Sequence, residues 1–97
     1  MTRDEALAKL RELKPWLADR YGVKRLGLFG SHARNEARLD SDIDLLVEFE
    51  PGRTPGLAFF GMSEEISERI GAPVDLGTFA GLKPHYARYV MQDLVDV

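Results

Sequence analysis

The sequence predicts a small α/β domain in which a mixed β-sheet of at least three strands is covered by helices on one face. Apolar residues recur every three or four positions in three segments, as in amphipathic helices, and shorter apolar runs between them have the length of strands. The chain has 97 residues, of which 44% are hydrophobic, enough for one core. We therefore expect residues 1–97 to form a single domain.

The first and longest helix is predicted to begin after Thr2, because Thr2 and Glu5 have the spacing of a capping box. Pro15 cannot donate a backbone hydrogen bond and crowds the preceding turn, so we expect a kink or a restart near Lys14. Gly22 is expected to end the helix. The apolar stripe of this helix consists of Ala6, Leu7, Leu10, Leu13, Leu17 and Tyr21.

Three strands are predicted, over residues 24–29, 42–49 and 73–78. The second strand alternates strictly, with Asp42 and Asp44 on one face and only apolar side chains on the other. This pattern is typical of a strand that buries one face against a core. The apolar residues are Ile43, Leu45, Val47 and Phe49.

The remaining segments are predicted to be helices and one loop. Residues 32–37 are predicted to form a short helix, and residues 57–70 a long one that ends at Gly71. Residues 51–56, rich in Pro and Gly, are predicted to form a loop. Pro84 suits the start of a last helix. The side chains of this segment expected to pack inward are Tyr86, Tyr89, Val90, Leu94 and Val97.

Two neighbouring motifs indicate a phosphate site beside a metal site. The apolar run 26–29 ends in Gly30 and Ser31, and the unpaired amides of a helix start attract phosphate oxygens. The carboxylates of Asp42 and Asp44 lie roughly 6 to 7 Å apart along the strand axis. Close like charges cost free energy unless a cation lies between them, and divalent cations take oxygen ligands.

Together, these motifs resemble the signature of the DNA polymerase beta type nucleotidyltransferase superfamily, in which a hydrophobic residue and Gly-Ser precede Asp-hydrophobic-Asp. Here ten residues separate Ser31 from Asp42. The segments Leu28–Arg34 and Ser41–Phe49 resemble those of the minimal nucleotidyltransferases, whose chains are about as long as this one. The resemblance extends to Pro73-Val74-Asp75-Leu76 and to the final amphipathic segment, and it implies a polymerase beta-like fold.

The chemistry expected of such a site is attack of a hydroxyl on the α-phosphorus of a nucleoside triphosphate, with pyrophosphate leaving. Two magnesium ions roughly 4 Å apart stabilise the charge on both oxygens in such reactions, and manganese is the alternative. We expect Asp42 and Asp44 to bind both ions. The resemblance implies that Asp75 is the third ligand, which makes these three residues the candidate catalytic and metal-binding set.

The triphosphate is expected to contact the start of the short helix. The amides of Gly30 and Ser31 and the Ser31 hydroxyl suit β- and γ-phosphate oxygens, and Arg34, one turn further, is expected to reach them through its forked donors. The alternative for Arg34 is a solvated side chain or an ion pair with Glu36 or Glu48. The resemblance implies ATP as the substrate.

Two histidines and one glutamate near these motifs are left out of the predicted site. His32 and His85 are flanked by turn residues and are predicted to be solvent-exposed imidazoles. Glu48 shares a strand face with the aspartates but lies two alternations further on, so it is predicted to face solvent.

Charge and composition exclude several classes of function. A net charge of -3 and a sequence pI near 5.3 argue against a basic surface that grips long nucleic acid. The chain has no cysteine, so disulfides and thiolate metal sites are impossible. No apolar stretch approaches the roughly 20 residues of a membrane span, and the charged N-terminus is unlike a signal peptide. We therefore expect a cytoplasmic protein.

The function follows from the resemblance, with three hypotheses open. The resemblance implies an antitoxin that transfers AMP from ATP to a tyrosine hydroxyl of a small helical HEPN-domain toxin, since the chain is too short to enclose an acceptor itself. The second hypothesis is a non-catalytic module that binds nucleotide and masks its partner. The third is a small-molecule nucleotidyltransferase, such as an aminoglycoside-modifying enzyme, without its usual second domain.

Overall fold

The computed structural model describes all residues from 1 to 97 and contains four helices, one 3-10 turn and four strands. In chain order they are α1 (Arg3–Tyr21), β1 (Val23–Phe29), α2 (Gly30–Ala33), β2 (Ile43–Phe49), the 3-10 turn (Gly56–Ala58), α3 (Phe59–Ile70), β3 (Val74–Thr78), α4 (Pro84–Asp93) and β4 (Val95–Asp96). None of the helices is long and apolar enough to cross a membrane.

The sheet is mixed and has the strand order β3-β2-β1-β4. Strand β1 pairs antiparallel with both β2 and β4, whereas β2 and β3 are parallel. Because parallel neighbours need a crossover, the chain passes from β2 through α3 before it enters β3. The predicted mixed sheet is confirmed, and β4 is an additional strand that the sequence did not predict.

One face of the sheet packs against α1 and α3 to form the core. The alternation predicted for β2 is confirmed, since Ile43, Leu45 and Val47 are fully buried. Leu26 and Leu28 continue this apolar face on β1. Fifteen buried residues form one cluster, which includes Ala6, Leu7, Leu10, Leu17 and Tyr21 from α1 and Met62, Ile66 and Ile70 from α3.

Helix α1 begins with the predicted capping box and continues without interruption through Pro15. The Thr2 hydroxyl accepts from the Glu5 amide, and the Glu5 carboxylate accepts from the Thr2 amide. The expected restart near Lys14 is wrong. Leu10 and Leu17, on either side of Pro15, are fully buried, so packing against the sheet holds both halves in one helix.

Asp42, predicted to lie in the second strand, precedes β2, and residues 57–58, predicted to begin the long helix, belong to the 3-10 turn. Two larger differences from prediction lie at the short helix and at the C-terminal segment. Helix α2 spans Gly30–Ala33 rather than residues 32–37, and Asn35 follows it with a φ of 60°. Helix α4 ends at Asp93, because the chain then pairs with β1 and the Val97 amide donates to the Leu26 carbonyl. Tyr86 and Tyr89 are mostly exposed rather than packed inward, whereas Val90 is buried as predicted.

Candidate active site

Three strand ends bring the predicted site residues to one end of the sheet. Asp44 on β2 lies opposite Phe29, the last residue of β1, and pairs in parallel register with Asp75 on β3. Hydrogen-bonded strands are about 4.8 Å apart, so the two aspartates are neighbours. Asp42 immediately precedes β2 and is exposed, as is Asp75, whereas Asp44 is half-buried between them.

Gly30 has an unusual backbone conformation and lies in close contact with Asp44. Its φ is +75°, a left-handed conformation that side chains rarely adopt. A Cβ on Gly30 would collide with the Asp44 carboxylate, so only glycine permits this approach. Because Gly30 begins α2, the close approach brings the start of that helix beside the central carboxylate.

The predicted phosphate residues lie at this helix start. No side chain caps the N-terminus of α2, whose N-cap residue is Phe29. Ser31 follows Gly30 and is half-exposed. The Arg34 amide donates to the Gly30 carbonyl at 3.1 Å and closes the single turn. The structure thus brings Gly30 and Ser31 to the same end of the sheet as the aspartates.

The carboxylates leave uncompensated negative charge at this end of the sheet. The pKa of Asp44 is raised, first by burial and then by the neighbouring charges of Asp75 and Asp42. The Arg34 charge acts in the opposite direction and lowers the pKa of Asp44. A further positive charge at this position would stabilise the ionised form of Asp44.

The three aspartates provide the right kind of ligand for magnesium but are not gathered around one point. Carboxylate oxygens are the protein ligands that Mg²⁺ prefers. However, no group of three or more His, Cys, Asp or Glu residues has an arrangement that could hold a metal ion. The donor chemistry and the raised pKa of Asp44 therefore fit a divalent cation, whereas the side-chain positions do not form a closed ligand cage.

Arg34 forms two ion pairs at the end of α2. Its Nε donates to Glu36 at 3.1 Å, one of the two partners considered from the sequence, and its Nη1 donates to Asp93 at 2.6 Å. Both contacts raise the pKa of Arg34, with Asp93 the larger cause. Glu48, the other partner considered, is exposed as predicted. The contact with Asp93 joins residues 59 positions apart and has no signal in the sequence.

The predicted exposure of His32 is wrong. It is 2% exposed, and its Nδ1 lies 3.1 Å from the Asp42 carbonyl oxygen. Burial lowers the pKa of His32, so the neutral ring is favoured. In the tautomer protonated at Nδ1, the ring donates to this carbonyl and fixes the backbone just before β2. His85 is exposed, as predicted.

The largest cavity lies away from the aspartates, at the far end of β2 and β3. It has a volume of about 670 Å³ and is lined mainly by aromatic and other apolar side chains, together with Glu48 and Thr78. Phe60, which lines it, is 77% exposed. The aromatic residues are Phe49, Phe59, Phe60 and Phe79.

Comparison with known proteins identifies the family and the fold. The family model of the nucleotidyltransferase domain matches residues 10–97. The protein adenylyltransferase MntA of Thermococcus cleftensis is 38% identical over 98 residues, which cover 100% of this chain and 97% of the relative. A solved structure assigned to the minimal nucleotidyltransferases has a TM-score of 0.78 and 38% identity and covers 100% of this chain and 97% of that chain.

A third similarity is to a chain of the complex between the tri-AMPylated HEPN toxin of Shewanella oneidensis and an MNT antitoxin. Its TM-score is 0.66 at 16% identity, covering 95% of this chain and 70% of that chain, which shows a shared fold. The chain belongs to the nucleotidyltransferase domain family, and within it to the minimal nucleotidyltransferases of the MntA-like group. The family and the polymerase beta-like fold predicted from the sequence are confirmed.

Proposed function

We propose that this protein, acting as a single domain over residues 1–97, is a magnesium-dependent adenylyltransferase that transfers AMP from ATP to a hydroxyl of a protein partner. The observation that carries the proposal is the placement of Asp44 between Asp75 on the neighbouring strand and Gly30 at the start of α2. Nucleotidyl transfer needs carboxylates beside a triphosphate site, and this placement supports such a site. The named activity of the Thermococcus relative supports AMP as the transferred group.

The proposed roles follow from these positions. Asp42, Asp44 and Asp75 would hold the divalent cations, and bound cations would stabilise negative charge on the attacking and leaving oxygens. Gly30 and Ser31 bind β- and γ-phosphate oxygens at the uncapped start of α2. The partner's hydroxyl gives its proton to solvent, its oxygen bonds to the α-phosphorus, and the bond between the α-phosphorus and the pyrophosphate oxygen breaks, so that pyrophosphate leaves.

Arg34 is proposed to assist at the same phosphates. It is one turn beyond Ser31, and its charge is close enough to lower the pKa of Asp44. A guanidinium in this position offsets negative charge on a triphosphate through its forked donors.

The partner is proposed to be a HEPN-type toxin, with this chain as its antitoxin. The similarity to the Shewanella complex suggests this, because the toxin in that complex carries AMP groups and is bound to an MNT antitoxin. The exposed apolar side chains of this chain provide surface that a partner can cover. They are Leu39, Leu57, Phe60, Tyr86, Tyr89 and Met91.

Intact-mass spectrometry of the co-expressed partner tests the proposal. We expect the partner to gain the mass of one or more AMP groups with the unmodified chain and none with Asp44→Asn, because that variant lacks the central carboxylate. Asp19→Asn is the matched control, since Asp19 is an exposed aspartate at the far end of α1, and it should retain transfer. Loss of the adduct in both variants, or in neither, contradicts the proposed site.

A masking function is the second candidate, because the exposed apolar side chains would serve a purely physical antitoxin equally well. It predicts that Asp44→Asn neutralises the toxin as fully as the unmodified chain, with no adduct on the partner. Cell growth with each variant, measured alongside the partner's mass, separates masking from modification.

A further inference from the structure

The Arg34 guanidinium contacts two carboxylates that differ in exposure and in their separation from Arg34 along the chain. The Nη1 of Arg34 donates to Asp93 at 2.6 Å. Asp93 lies on α4, and its side chain is only 24% exposed. Glu36 is contacted by Nε at 3.1 Å, lies two residues from Arg34 and is 66% exposed. A buried carboxylate from another part of the chain restricts an arginine more than an exposed carboxylate two residues away. The reason is that the buried side chain has less freedom of its own. Asp93 is therefore the contact that determines where Arg34 points.

These two contacts leave donors of Arg34 free. The Nε hydrogen and one hydrogen on Nη1 are engaged, which leaves both hydrogens of Nη2 and the second of Nη1. An arginine held in this way keeps a pair of donors suited to phosphate oxygens. The contact with Asp93 thus restrains the guanidinium without occupying all of its donors.

Asp93 is itself fixed to the strand that leads into the proposed phosphate site. The residues that follow it pair with β1, Val95 with Leu28 and Asp96 with Gly27. The Leu94 side chain lies against Gly27, where a Cβ would meet it. Gly30, the first residue of α2, lies three residues beyond Gly27 and directly follows β1. A closed path of contacts therefore runs from the start of α2 through Arg34, Asp93 and β4 back to β1.

We propose that Asp93 is a positioning residue for nucleotide binding, which holds the Arg34 guanidinium toward the β- and γ-phosphates of ATP. The inference rests on the proposed function, since it takes Arg34 to be a triphosphate ligand. It assigns to the last helix a role in nucleotide recognition. The effect must depend on the β- and γ-phosphates, because these are the groups that Arg34 contacts.

Equilibrium binding of AMP-PNP and of AMP, each with magnesium present, tests this assignment by calorimetry. We expect Asp93→Asn to weaken AMP-PNP binding about 5- to 10-fold, in line with the loss of one charge-assisted contact, and AMP binding less than about twofold. Glu36→Gln is the matched control, because it removes the other carboxylate on Arg34, and it should change either affinity by less than about twofold. Asp93→Glu retains the charge and should give an intermediate loss.

The outcomes separate the inference from the proposed function. If Arg34→Met leaves AMP-PNP binding unchanged, the triphosphate role of Arg34 in the proposed function is wrong. If Arg34→Met weakens AMP-PNP binding but Asp93→Asn behaves like Glu36→Gln, only the positioning role is wrong. Tighter AMP-PNP binding in Asp93→Asn also overturns it, since Asp93 would then compete with phosphate for Arg34. Equal losses for AMP-PNP and AMP would indicate a general structural effect and overturn it as well.

Discussion

The two faces of β2 differ in whether the rest of the chain provides favourable contacts for their side chains. On the core face, Ile43, Leu45 and Val47 are completely buried among apolar neighbours. On the opposite face, Asp44 lies among like charges and against Gly30, whose backbone is in a left-handed conformation. One strand thus carries a face that stabilises the fold and, on the opposite face beside the buried Leu46, a carboxylate whose charge needs an external ligand. Residues of the first kind should govern stability and those of the second kind activity.

The largest effect on stability is expected from the core face. Leu45→Ala should lower the free energy of unfolding by about 3 kcal/mol, because it removes a fully buried side chain and leaves a cavity. Leu39→Ala is the same chemical change at a fully exposed leucine and should stay within about 0.5 kcal/mol. Urea denaturation monitored by circular dichroism measures both. Similar losses in the two variants would contradict the described core.

Gly30→Ala tests the contact between the two motifs. We expect it to cost about 1 to 3 kcal/mol of stability, since it combines an unfavourable φ with a collision against Asp44, and to reduce AMP transfer. Gly52→Ala has a similar φ of +78° but open space around the added Cβ, so it reports the backbone strain alone. The difference between the two unfolding free energies measures the collision, and a difference of zero would show that Asp44 moves aside freely.

Asp44→Asn should raise the stability of the fold while it abolishes AMP transfer. In the absence of divalent cations we expect it to stabilise the fold by about 0.5 kcal/mol, because it removes the cost of burying a charge and the repulsion from Asp75 and Asp42, which solvent partly screens. Thermal melts would show a rise of about 2 to 4 °C. Magnesium with ATP should stabilise the unmodified protein more than either alone and should add little to the variant. Equal ligand-induced shifts in both proteins would contradict the proposed metal role.

The last expected effect is a pH dependence of stability from His32. Burial lowers the pKa of His32 below the value of about 6.5 expected in the unfolded chain, so the unfolded state binds more protons between the two pKa values. Stability is therefore retained above about pH 6.5 and falls as the pH drops through this window, by at most about 1.4 kcal/mol per pH unit for one proton. His32→Gln should flatten this slope in urea denaturation. His85→Gln, at an exposed histidine, should leave it unchanged.

Features with a local sequence pattern could be predicted, and features made by distant contacts could not. The alternation of β2 and the capping box of α1 each involve residues close in the chain, and both are present. The two-residue strand β4 is too short to show any periodicity and exists because β1 has a free edge there. The burial of His32 depends on the Asp42 carbonyl, and the position of Arg34 depends on Asp93. Neither relation is visible in local composition.

The parallel pairing of β2 with β3 has a consequence for the newly made chain. Asp75 is 31 residues beyond Asp44 and reaches it only after the α3 crossover has formed, while β1 and β2 pair over a shorter connection. Since a chain is synthesised from its N-terminus, Gly30 and Asp44 emerge from the ribosome well before Asp75, and Asp93 emerges later still. A nascent chain therefore has no complete arrangement of site residues until Asp93 has been synthesised.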